Sequence, residues 1–119
     1  MTILVDGTVY TVVDDVDFID LQILMADGVT PRSLGSATDI IVRLENITDN
    51  SLITFTEASG KVEITDEDEG IIRIKQDGTE YSQQSEYSYY VDIIDALGPH
   101  AVPMRQELRP RWIVAAKIG

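Results

Sequence analysis

Val62-Glu63-Ile64-Thr65, the acidic turn Asp66-Glu67-Asp68-Glu69-Gly70, and Ile71-Ile72-Arg73-Ile74-Lys75 alternate apolar and polar side chains on either side of a glycine-closed turn. A period of two sends one set of side chains to a core and the other to water, so the stretch reads as a β-hairpin. The same rhythm runs along the chain. Candidate strands cover Ile3 to Val5, Val9 to Val13, Ile19 to Met25, Ile40 to Leu44, Ile53 to Phe55, Tyr87 to Ile93, Ala101 to Glu107 and Trp112 to Ile118. Turn signals at Asp6-Gly7, Ala26-Asp27-Gly28, Thr48-Asp49-Asn50, Ala58-Ser59-Gly60 and Leu97-Gly98-Pro99 recur at roughly the 8–12 residue spacing of a sandwich or barrel. No amphipathic helix of two turns fits as well as the strands do. The expected core includes Leu21, Ile23, Val42, Ile64, Ile74 and Val91.

A chain of 119 residues is one domain of ordinary size, residues 1–119, which buries about two thirds of its unfolded surface and needs no covalent staples. Cysteine is absent, which excludes disulfides, thiol catalysis, zinc-thiolate sites and iron-sulfur clusters. The apolar runs are far shorter than the ~18 residues that span a bilayer as a helix, and Met1 to Asp6 lacks the basic start and cleavage site of a secretory signal. Synthesis and folding in the cytoplasm are expected.

Residues 1 to 69 hold 15 acidic side chains and three basic ones, Arg32, Arg43 and Lys61; residues 70 to 119 hold six of each. The whole net charge of −12 therefore belongs to the first part. Such a surface is repelled by nucleic-acid phosphates and by anionic lipid, so neither is an expected partner. Arg105, Arg109, Arg111 and Lys117 gather near the C-terminus against Glu107 alone, giving an acidic body with a basic end. That end suits contact with an acidic neighbour, although solvated faces that keep a domain soluble carry the same composition.

Chemistry finds little purchase. Asp14, Asp15, Asp17 and Asp20 form one acidic cluster and Asp66 to Glu69 another. The second opens like a calcium loop, but glycine falls one position early at Gly70 and a strand follows where the late bidentate glutamate is needed; a plain hairpin turn is expected, with no metal and no cofactor. His100 stands beside Pro99 without a serine or cysteine partner and reads as an exposed loop histidine. Paired carboxylates for glycoside hydrolysis need a cleft, which short turns do not build. The expectation is a protein that is not an enzyme.

Two features favour an all-β, immunoglobulin-like antiparallel β-sandwich over a small barrel. The late strand Tyr87-Ser88-Tyr89-Tyr90-Val91 carries bulky residues whose hydroxyls can bond to nearby loops, and Trp112 is placed to cap the core from the last strand. Tyr81, in the polar interval Gln76 to Glu86, and Tyr90, out of phase with its neighbours, are the tyrosines expected outside.

Across most of the chain, a set of ordered segments resembles the N-terminal domain of phage baseplate upper proteins. The segments are Met25-Ala26-Asp27-Gly28, Ser33-Leu34-Gly35-Ser36-Ala37-Thr38-Asp39-Ile40-Ile41-Val42-Arg43-Leu44, Lys61-Val62-Glu63-Ile64-Thr65-Asp66, Gly70-Ile71-Ile72-Arg73-Ile74 and Tyr87-Ser88-Tyr89-Tyr90-Val91-Asp92-Ile93. The resemblance implies an immunoglobulin-like virion module of a tailed bacteriophage, a structural tail or baseplate adaptor that docks other virion proteins, present in many copies and without catalytic residues. Members of the family often continue into fibre or adhesin regions; the sequence here ends at Gly119, so the expectation is an adaptor and not a fibre. A capsid (head) decoration protein is the alternative, and a carbohydrate- or cell-surface-binding β-sandwich the second. Arg105, Arg109, Arg111, Tyr81 and Tyr90 are the expected interface residues.

Overall fold

The computed structural model describes residues 2–4, 9–12, 18–25, 29–77, 79–81, 84–102 and 109–115. Among them there is no helix. Ten strands follow one another: β1 (Thr2–Leu4), β2 (Val9–Val12), β3 (Phe18–Gln22), β4 (Asp39–Asn46), β5 (Leu52–Thr56), β6 (Val62–Asp66), β7 (Ile71–Lys75), β8 (Ser85–Asp95), β9 (Gly98–Val102) and β10 (Arg111–Ala115). The expected turns at Asp6-Gly7 and Ala26-Asp27-Gly28 and the last parts of the two final strands lie outside the described residues.

Two sheets form. One has the order β1-β3-β7-β6; the other runs β2-β10-β8-β4-β5, with β9 also on β8. The adjacencies β3-β7-β6 and β10-β8-β4-β5 correspond to strands B-E-D and G-F-C-C′ of an immunoglobulin variable-type sandwich. Strand β8, 11 residues long, is the spine of the larger sheet. β4 pairs with it from Tyr87 to Ile94, while its other edge is shared by β10 at Ser85 to Ser88 and β9 at Val91 to Asp95. The expected antiparallel pattern needs one correction: β1 pairs with β3, and β2 with β10, in parallel. The N-terminal segment divides between the two sheets, so neither β1 nor β2 reaches its partner through the short hairpin that would impose antiparallel pairing.

The core fills the space between the sheets, as the alternation requires. Leu21, Ile23, Val42, Ile74 and Val91 are fully buried, together with Val9, Ile40, Leu44, Phe55, Ile72 and Tyr89. Trp112 is 0% exposed and sits inside this cluster, where it stacks on Phe55 at 6.0 Å and receives Tyr89 edge-on at 5.3 Å. It is a centre of the core and not its cap. Ile64 packs against the core opposite Ile72 but is only half-buried; it is the last regular pair of the edge strand β6, whose register shifts just beyond it. Met25 is 47% exposed: β3 ends at Gln22 and the chain leaves the sheet before its period reaches that side chain. His100 lies in β9, not in a loop, with Nε2 3.1 Å from Asp95 Oδ1.

The β6–β7 turn is fastened to the connection between β3 and β4 through main-chain atoms. Ile23 N–H donates to Gly70 O at 2.8 Å, Arg32 N–H to Ile23 O at 2.9 Å, and Leu34 N–H to Glu67 O at 2.8 Å. Gly70 has φ +68°, and a Cβ there would fall 2.5 Å from Arg32 O and 2.7 Å from Ile23 O. Gly60 has φ +83° but open space around it. Gly60→Ala should therefore lose only the left-handed penalty of about 1–2 kcal/mol, whereas Gly70→Ala must also prise the turn from its neighbour and lose roughly 3 kcal/mol or more. Urea unfolding midpoints of the two variants check this, and equal losses would refute it.

Candidate protein interface

The polar interval after β7 turns inward. Lys61 Nζ donates to Asp77 Oδ2 at 2.9 Å and to Glu80 Oε1 at 3.2 Å; Asp77 N–H donates to Glu80 Oε1 at 2.8 Å, and Thr79 donates to Asp77 Oδ1 through its hydroxyl at 2.5 Å and its amide at 2.9 Å. These bonds close the segment over the edge of the sandwich and carry Tyr81 into it. Tyr81 is 2% exposed, which overturns the expectation that it lies outside. Its hydroxyl donates to Gln76 Oε1 at 2.6 Å and accepts from Trp112 Nε1–H at 2.9 Å, and Gln76 Nε2 donates to Thr11 Oγ1 at 3.1 Å. A buried phenol with these partners is satisfied internally and offers nothing to a neighbour.

Tyr90 does face outward, as its phase predicts. It sits on the outer surface of the larger sheet, opposite Arg43 on β4. The Arg109 guanidinium lies over its ring, 3.9 Å from the centroid, with Nη1 3.8 Å from Glu45 Oε2. The Arg109 side chain is 17% exposed, and its Nε is buried with no hydrogen-bond partner among the described residues. Arg109 is thus largely spent on packing. Arg111 is different: it is exposed on the outer face of β10, opposite Ser88, and no carboxylate among the described residues lies within ion-pairing distance of it. Arg105 lies outside the described residues.

Several other basic side chains are likewise neutralised within the domain: Arg43 with Asp92 at 2.7 Å, Arg73 with Asp20 at 2.9 Å, and Lys75 with Glu63 at 2.9 Å. Arg73 also covers the Phe18 ring at 5.3 Å. The sequence does not show these pairings because each joins residues from different strands, whose register decides who meets whom.

The acidic turn at Asp66 to Glu69 is held by side-chain bonds to the main chain of Glu69. Asp66 Oδ1 accepts Glu69 N–H at 3.2 Å, and Glu69 O accepts Gln22 Nε2–H at 3.0 Å. Among the described residues, no group of three or more histidine, aspartate or glutamate side chains is placed to hold a metal ion. Of the other acidic cluster, Asp20 is described and pairs with Arg73, and Asp14, Asp15 and Asp17 lie outside the described residues.

No protein-family model matches the sequence, and no curated protein sequence matches it. Solved structures do match. The N-terminal domain of phage TP901-1 ORF48 aligns over 98% of this chain and 95% of that chain, with a TM-score of 0.51 at 12% sequence identity. The fold is similar to that of a phage protein domain. At this identity the likeness is one of fold, and it extends over nearly the full length of both chains.

Two outcomes follow from the geometry. Arg111→Glu should leave the melting temperature unchanged, while Arg109→Glu should lower it by several degrees, because it removes the cover on Tyr90 and sets a second carboxylate beside Glu45. Equal effects in a thermal scan would contradict this division. Hydrogen bonds from the Thr79 hydroxyl, then Lys61, then the Thr79 amide hold the Asp77 carboxyl well below the usual carboxylate range. A depressed folded value contributes stability that is complete above the unfolded value of about 3.9 and is lost as pH falls through the folded one. Asp77→Asn should therefore be less stable than the parent at neutral pH, with the gap closing as pH drops below about 4. A gap that stays constant in acid denaturation would show that the clamp adds nothing through its charge.

Proposed function

We propose that this protein is a structural component of a tailed bacteriophage virion, a non-catalytic tail or baseplate adaptor that docks other virion proteins and is present in many copies. The observation that carries this reading is the end-to-end likeness of its sandwich to the N-terminal domain of a phage protein, TP901-1 ORF48. The resemblance of its ordered segments to the N-terminal domain of baseplate upper proteins points the same way. The adaptor surface in this reading is the outer face of the larger sheet, where Arg109 stacks on Tyr90 and Arg111 is exposed with no carboxylate among the described residues in ion-pairing distance. Its partner there is a protein surface carrying carboxylates. Neither nucleic acid nor membrane is a partner, because a net charge of −12 repels both phosphate and anionic lipid.

An exposed ion pair contributes only about 0–1 kcal/mol, so docking rests on apolar contact around the cation as well as on the cation itself. Gold labelling of an epitope-tagged chain in intact particles should mark the tail. Label on the head would transfer the reading to capsid decoration, and absence of the chain from purified virions would reject a structural role altogether.

A further inference from the structure

Strand β5 is an unguarded sheet edge. Asn46 N–H donates to Ser51 O at 2.8 Å and Glu57 N–H to Ile40 O at 2.9 Å, which fixes the phase of the β4–β5 ladder. Ser51, Ile53, Phe55 and Glu57 turn their main-chain groups toward β4, and Leu52, Thr54 and Thr56 turn theirs away from it. The Thr56 carbonyl is taken by Lys61 N–H at 3.1 Å and Ser59 Oγ at 2.9 Å. This leaves both groups of Leu52, both groups of Thr54 and the Thr56 N–H pointing outward, and no described strand lies beyond β5.

Edge strands are normally defended by charge, proline or a bulge. β6, at the edge of the smaller sheet, has a bulge and carries Glu63 and Asp66; β9 carries Pro99. β5 has none of these. Its sequence is Leu-Ile-Thr-Phe-Thr, uncharged and made of strong strand formers, and its register with β4 is unbroken from Leu52 to Thr56. Leu52, at one end of the strand, is 60% exposed.

The geometry points to β5 as the site where a second copy of this chain adds antiparallel, joining two large sheets into one across a two-fold axis at Thr54. The strand is complementary to itself in that arrangement. Thr54 meets Thr54 of the second copy and exchanges two N–H to C=O bonds with it, and Thr56 N–H reaches the Leu52 carbonyl. Ile53 falls opposite Phe55, and Leu52 opposite Thr56, pairs of the kind that stabilise sheets. The paired residues Leu52 to Thr56 are all uncharged, so no like charges confront each other within the ladder despite the −12 on each copy. The contact is isologous and closes at two copies.

Salt separates this mode from a contact between the basic end of one copy and the acidic body of the next. Screening weakens attraction between opposite charges, and it relieves the mutual repulsion of two acidic domains joined through uncharged strands. Sedimentation equilibrium of the full chain should give a monomer–dimer equilibrium that tightens as sodium chloride is raised. Thr54→Lys places a charge at the axis, and Thr54→Pro removes an N–H that β4 does not use; each should weaken the dimer about tenfold or more. Both variants are scanned for melting temperature, and Thr54→Lys, which keeps the backbone free but falls opposite Arg43 on β4, is expected to stay folded with a melting temperature only slightly lowered. Thr54→Cys adds the sole thiol of the chain and should trap a disulfide-linked dimer on mild oxidation. A wild type that stays monomeric to about 1 mM in high salt would overturn the inference. So would a dimer that dissociates on adding salt, or one indifferent to folded Thr54→Lys.

Discussion

The two sheets are joined through a short chain of buried polar atoms that runs from Trp112 through Tyr81 and Gln76 to Thr11. Trp112 and Thr11 belong to the larger sheet, and Gln76 follows directly from β7 of the smaller one. Each atom in the chain has a donor or acceptor role that its neighbour completes. In a low-dielectric interior such a set is strong when satisfied and costly when broken, so it selects one relative placement of the sheets among the many that apolar packing alone would tolerate. The aromatic cluster of Trp112, Phe55 and Tyr89 supplies area; the hydroxyl of Tyr81 supplies direction.

The surface follows a different economy. Acidic side chains outnumber basic ones, 21 to nine, yet several basic side chains are held by carboxylates of the same domain. Arg109 illustrates the consequence. A stack on Tyr90 and a nearby Glu45 make it part of the sheet surface, and the apparent basic end read from the sequence shrinks, among the described residues, to Arg111. Charge counted along a chain and charge presented by a fold are separate quantities, and the second depends on strand register.

Much of the secondary structure was legible because the period of two holds wherever a strand has one face inside and one outside. The hairpin from Val62 to Lys75, the strands at Ile40 to Leu44 and Tyr87 to Ile93, and the burial of Leu21, Val42, Ile74 and Val91 all came from that rule. It failed where the pleat is interrupted or abandoned. Ile64, the last regular pair before a bulge, is only half covered, and Met25 keeps the period after the sheet has ended. Tyr81 departs from expectation for another reason: a polar run reads as a loop, and a loop as exposed, whereas Lys61 and Asp77 fold this one back over the core. The Gln76 and Tyr81 pair was a usable signal, since an amide and a phenol close together in sequence can satisfy each other without water. The parallel seats of β1 and β2 left no trace in local pattern, because they depend on how the chain divides between two sheets.

The fastening of the β6–β7 turn to the connection around Ile23, Arg32 and Leu34 uses main-chain atoms on both sides. Beyond Gly70, and the Asp66 and Gln22 side chains that bond to Glu69 main-chain atoms, such a clasp has little memory of side-chain identity. Glu67, Asp68, Glu69 and Ser33 can be exchanged for residues of other shapes and charges while the loops keep their positions. This end of the sandwich is therefore free to drift in sequence without drifting in shape, which is the property that lets one scaffold keep pace with a partner whose own surface changes.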